Sequence, residues 1–162
     1  MIAIGFDPGT ARLGYGVIES EPDPRAIDFG VIVTGSELPM PERLLMIHDA
    51  VGELIDTFQP EAVAVELLFF ARNVTTAMTV GQARGVILLA AAQRGIPIAE
   101  YSPSEVKQAV VGYGKADKRQ IQEMVRIMLG LTTAPQPDDA ADALAVAICH
   151  VQVAPFRSRV GA

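Results

Sequence analysis

The hydrophobic and polar positions of this chain lay out a mixed α/β domain. Met1 to Phe6 is a nearly unbroken apolar run, the pattern of a strand buried on both faces. Asp7-Pro8-Gly9-Thr10 ends it, because Pro and Gly supply the backbone angles of a reversal. A second strand is predicted over Gly14 to Glu19 and a third over Ala26 to Thr34, with the turn Glu21-Pro22-Asp23-Pro24 between them. Pro39 to Pro41 precede a helix whose apolar positions, Leu44, Ile47, Val51, Leu54 and Ile55, recur at helical spacing until Pro60 stops it. Ala62 to Val65 reads as strand four, about Val74 to Gln93 as a long helix, and Ile96 to Glu100 as strand five. Ser102 is placed to cap a short helix with Pro103 at its first position. Gly112-Tyr113-Gly114 follows as a mobile loop, then a helix from Asp117 to Leu129 with Gly130 as its stop, a loop over Ala134 to Pro137, and a last helix from Asp138 to Val153.

Two hairpin-linked strands, a third, and then helix–strand–helix–strand predict one mixed sheet covered by helices. Strand four follows a helical crossover and can lie parallel to strand one, which would bring Asp7 and Glu66 to the same edge of the sheet. Ligands bind at the carboxyl ends of strands in such sheets. The chain of 162 residues fits a single domain over 1–162, with a short flexible basic tail from about 155. No apolar run reaches the ~18 residues of a membrane span. The longest, Gly85 to Ala92, is closed by Gln93-Arg94-Gly95. No basic region precedes an apolar one at the N-terminus, and Cys149 is the lone cysteine, so the simplest compartment is the cytoplasm.

The carboxylates change the picture most. Asp7 and Glu66 each end a buried strand, where an acid is costly unless it is solvated, paired or bound to a cation. Asp139 and Asp142 stand one turn apart on the same face of the last helix, in the first turn, where the helix dipole favours negative charge. That helix is apolar on nearly every side, so it packs on the sheet and carries its first turn toward the strand ends. Asp7 alone would read as a turn residue and Asp139 alone as a capping residue. Glu66 resists such a reading, because Leu67, Leu68, Phe69 and Phe70 continue the apolar run past it. Together the acids predict a divalent-metal site, and hard oxygen donors suit Mg²⁺ or Mn²⁺. Two such ions would clamp the attacking and leaving oxygens of a phosphodiester.

The net charge of −6 and pI near 4.8 argue against a general nucleic-acid binder. Yet the acids of a metal site account for part of that charge. The bases are also grouped: Lys115, Lys118 and Arg119 together, Arg72 and Arg84 flanking one helix, Arg157 and Arg159 near the end.

The motifs, taken in order, resemble a RuvC-type Holliday-junction resolvase of the ribonuclease H-like superfamily. They are Gly5-Phe6-Asp7-Pro8-Gly9 with Gly14-Tyr15-Gly16-Val17, Val65-Glu66 with Phe69, Ala71, Arg72 and Asn73, and Gly81-Gln82-Ala83-Arg84-Gly85. Val106-Lys107-Gln108 with Val110-Val111-Gly112, and Asp139-Ala140-Ala141-Asp142-Ala143-Leu144-Ala145, complete the set. The resemblance implies a five-stranded mixed sheet flanked by helices on both faces, and a homodimeric endonuclease that cuts two strands of a four-way DNA junction symmetrically with two Mg²⁺ per site. It implies an acidic tetrad of Asp7, Glu66, Asp139 and Asp142, with Lys107 and Lys118 as catalytic, phosphate-contacting bases and Phe69 as the aromatic that stacks near the crossover. Arg72, Asn73, Arg84, Lys115 and Arg119 are the further candidates for DNA contact, and RuvA and RuvB are the partners the family implies. Three features depart from the pattern. Asp138 adds a carboxylate beside the pair, as a ligand or only an N-cap; Leu67 stands where relatives carry a polar residue; and the acidic pI predicts weak, salt-sensitive binding without metal.

Alternatives stay open at this level. Asp7-x-Gly9-Thr10 also resembles the phosphate loop of actin-like and sugar-kinase ATPases, which need two such domains. A nuclease acting on RNA precursors and a non-catalytic junction-binding module are the other rivals. His48 and His150 read as structural or exposed, and Cys149 as a small buried hydrophobe.

Overall fold

The computed structural model describes residues 1–67 and 73–160. The elements run β1 (Ile2–Asp7), β2 (Arg12–Glu19), β3 (Arg25–Val33), α1 (Met40–Phe58), β4 (Ala62–Glu66), α2 (Val74–Gln93), β5 (Ile98–Tyr101), α3 (Pro103–Val111), α4 (Lys118–Met128) and α5 (Asp138–Val160). The sheet order is β3-β2-β1-β4-β5. β1, β2 and β3 form an antiparallel meander, while β4 lies parallel to both β1 and β5. The α/β mixed sheet and the parallel pairing of strands one and four both match the sequence reading.

Side chains alternate across a strand, so each face of the sheet has its own core. On one face, Ile4 and Phe6 of β1 and Val63 and Val65 of β4 pack with α1 and α2. On the other, Ala3 of β1, Ala64 of β4 and Tyr101 of β5 pack with α3, α4 and α5. By the same alternation Gly5 and Asp7, and Ala64 and Glu66, face α5.

The α5 face of the two central strands is lined by glycine. A Cβ at Gly14 would overlap the backbone carbonyl of Asp139, one at Gly5 would overlap that of Ala143, and one at Gly16 would stand 2.7 Å from the Leu144 side chain. These absent side chains let the helix backbone seat directly on β1 and β2, and Gly14 is the register partner of Asp7.

One expectation needs correction. α5 does not end at Val153: the helix runs on through Pro155 to Val160. Arg157 anchors this extension, with Nη2 3.1 Å from Glu105 of α3 and its guanidinium 4.9 Å above the Tyr101 ring. By length and mean hydropathy alone α2 and α5 would both pass for membrane spans, although polar residues interrupt each helix. Of the span-like windows, 61% is buried within the fold for α5 and 22% for α2. Cys149 and His150 of α5 are buried. The His150 Nδ1 is hydrogen-bonded with the Tyr101 hydroxyl at 2.9 Å, and burial followed by the nearby Arg157 lowers the imidazole pKa. His48 instead bonds Gln93 at 2.7 Å.

Candidate active site

β1 and β4 are adjacent and parallel, with Phe6 beside Val65 in register, so Asp7 and Glu66 leave the sheet side by side at its carboxyl edge. Both point toward α5, whose first turns lie over them with Asp139 and Asp142. Burial, then repulsion from Asp142, Glu66 and Asp139, raises the Asp7 pKa to about 8, with Lys118 opposing. Glu66 is raised by burial and by Asp142, against the pull of Lys107. Burial also raises Asp142, against Lys118. These shifts express a surplus of negative charge in a partly desolvated place, and a hard divalent cation is the chemical species such a donor set fits.

Two N-caps orient the bases. Ser102 caps α3 reciprocally with Glu105, and Asp117 caps α4 reciprocally with Gln120. Lys107 thereby stands mid-α3 and Lys118 opens α4. Glu66, Lys107, Lys118 and Asp142 line a single cleft of about 370 Å³. Lys118 Nζ is 3.4 Å from Asp138 and 3.6 Å from Asp142. Against the partial desolvation that opposes it, these two acids hold the ammonium above its ordinary pKa. Asp138 also accepts a hydrogen bond from Gln122 of α4 at 2.9 Å, and so ties α4 to α5.

Arg12, which the sequence reading did not single out, donates from Nε to Asp139 Oδ2 at 2.9 Å. Its alternation within β2 and its position at the start of that strand gave no signal of a partner on α5. Among the described residues, no group of three or more His, Cys, Asp or Glu side chains is gathered tightly enough to hold an ion without movement.

The family model described as "Crossover junction endodeoxyribonuclease RuvC" matches residues 3–150 of this chain. The chain belongs to the RuvC family. A Chloroflexus aggregans "Crossover junction endodeoxyribonuclease RuvC" is 58% identical, covering 99% of each chain. Among solved structures, Thermus thermophilus RuvC superposes with a TM-score of 0.89 at 42% identity, over 99% of this chain and 97% of the other. "T. thermophilus RuvC in complex with Holliday junction substrate" gives the same TM-score at 40% identity, over 96% of each chain.

Not every residue expected at a RuvC-type DNA surface stands near the acids. Arg84 of α2 pairs with Glu100 of β5, which alternates with Tyr101 and so points to the α1/α2 side. The sheet separates Arg84 from the face that carries Asp7, so Arg84 stands apart from the acids, in an ion pair with Glu100. Asn73 caps α2, its side chain accepting from the Thr75 amide at 3.0 Å. Lys115 is exposed before α4, and Arg119 lines a second cleft with Tyr113 and Met124. Phe69 and Arg72 lie outside the described residues.

Proposed function

We propose that this chain is a metal-dependent endodeoxyribonuclease that resolves four-way DNA junctions by paired, symmetric phosphodiester hydrolysis in recombination and repair. The observation that carries the reading is the convergence of Asp7 and Glu66, from neighbouring parallel strand ends, beneath Asp139 and Asp142 of α5. Family membership and a 40%-identical relative solved with a Holliday junction substrate support the choice of substrate.

Asp7 and Glu66 anchor the cations, with Asp142 and Asp139 completing the set. Two Mg²⁺ per site suit these hard donors, and Mn²⁺ shares the preference. Divalent ions held by these acids would supply Lewis-acid activation of a water and offset charge at the leaving 3′ oxygen. Lys107 and Lys118, on the cleft wall next to Glu66 and Asp142, hold phosphate oxygens and offset charge that develops during displacement. Phe69 stacks on an exposed base, and Arg72, Lys115 and Arg119 contact the DNA backbone.

A four-way junction has two-fold symmetry, so two sites on one homodimer match its two scissile strands. Val74, Met78, Gly85 and Leu89 share an exposed face of α2, and that apolar stripe is the favoured dimer surface. RuvA and RuvB are the implied branch-migration partners, and the cytoplasm is the compartment.

Incubation with a synthetic immobile four-way junction tests the reading. Paired symmetric nicks are expected with Mg²⁺ or Mn²⁺ and none with EDTA. Cutting that persists in EDTA, or a preference for RNA over the junction, would overturn it.

A further inference from the structure

Arg12 opens β2 and touches the acidic site, yet none of the roles above uses it. We propose that Arg12 is a resident counter-ion that competes with the divalent cation for Asp139 Oδ2, so that this oxygen joins the metal shell only when the guanidinium withdraws. The inference rests on the metal-site reading and adds an order of recruitment to it.

The four acids are not equivalently engaged. Asp139 Oδ2 already accepts a hydrogen bond from Arg12 Nε at 2.9 Å. Asp142 faces its cation, Lys118, at 3.6 Å, and shares it with Asp138 at 3.4 Å. Asp7 and Glu66 form no ion pair among the described residues. A first ion therefore meets Asp7 and Glu66 with no ion pair to displace, and Asp142 against its looser contact with Lys118. An ion that takes Oδ2 of Asp139, alone or together with Oδ1, must break the Arg12 bond. The carboxylate oxygen that holds the guanidinium is the one direction in which Asp139 is not free to coordinate.

The competition is weak enough to be reversible. The Arg12 side chain is 52% exposed and that of Asp139 33%, so water screens the pair. The absence of a side chain at Gly14 already lets the Asp139 backbone seat on β2. A purely structural Arg12 would change stability and leave metal affinity alone. A competitor changes affinity, and only when Asp139 is present to be competed for.

Mn²⁺ titration, with free Mn²⁺ read by electron paramagnetic resonance, decides between these on wild type, Arg12→Ala, Asp139→Asn and the double variant. Arg12→Ala is expected to tighten the weaker Mn²⁺ site by roughly two- to fivefold, the range of a screened surface pair. In the Asp139→Asn background the same change is expected to do nothing. If Arg12→Ala does not fold, Arg12→Gln takes its place. Unchanged affinity in Arg12→Ala, or equal tightening with and without Asp139, overturns the proposal while leaving the metal site intact. Identical Mn²⁺ binding by wild type and Asp7→Asn instead sinks the metal-site reading, and the competition with it.

Discussion

Asp7 ends a buried strand among three other carboxylates, and its raised pKa makes the site's charge a stability matter. In the unfolded chain its ordinary value is 3.8, whereas burial and like charges lift it to about 8 when folded. Between those values the folded protein keeps a proton that the unfolded chain has lost, so stability falls as pH rises and levels off above about pH 8. Glu66 and Asp142 shift in the same direction. Asp7→Asn cannot ionise. The metal-free variant is expected to exceed wild type in stability at pH 8 by on the order of a few kcal/mol, with the gap closing toward pH 4, while junction nicking disappears. Urea unfolding in EDTA at the two pH values checks this, and a wild type no less stable at pH 8 would refute it. The acids were readable from sequence because strand ends and a helix first turn have local signatures. Arg12 was not, since its partner lies 127 positions away. The pairing of Arg84 with Glu100 was equally illegible, because only the β5 register puts Glu100 on the face that α2 covers.

At the scale of elements, the site depends on how closely α5 approaches the sheet. Gly14, Gly5 and Gly16 leave no side chain between strand and helix, and the first of them sits against the very residue that carries the Asp139 carboxylate. Gly14→Ala must push the α5 first turn outward. The expected cost is roughly 1–3 kcal/mol from overpacking, with nicking reduced far more than the stability loss alone accounts for. Denaturant midpoints together with cleavage rates separate the two effects, and normal nicking by a folded Gly14→Ala protein would exclude this coupling. The existence and order of the helices and strands were legible from periodicity and from Pro and Gly stops. Their ends were less so. β2 starts at Arg12, ahead of the expected Gly14, and β5 starts at Ile98, after Pro97 rather than before it. α5 continues through Pro155 because Glu105 and Tyr101, on other elements, hold Arg157 in place, and no local pattern announces such contacts.

For the molecule as a whole, the sheet divides labour between two faces, with the acids under α5 on one and the exposed α2 stripe on the other. Met78→Glu places a charge in the centre of that stripe and is expected to weaken the proposed dimer by roughly 2 kcal/mol or more, about thirtyfold in Kd. Sedimentation should then show monomer at concentrations where wild type is dimeric, with single nicks replacing paired ones. Retention of the dimer would move the interface elsewhere. Sequence periodicity gave the extent of α2 but not its open face, which Val74, Met78, Gly85 and Leu89 form while Ala77 is half-buried. The lone thiol of the chain lies at the other extreme of accessibility. Cys149 is fully enclosed in α5, and burial drives its pKa to about 12, so alkylating dyes find neither a path nor a thiolate while the fold holds. A cysteine introduced at the rim of the cleft can accordingly carry a fluorophore without removal of the native one, and slow labelling of Cys149 itself becomes a clock for how often the helix that bears half the carboxylates lets go of the sheet.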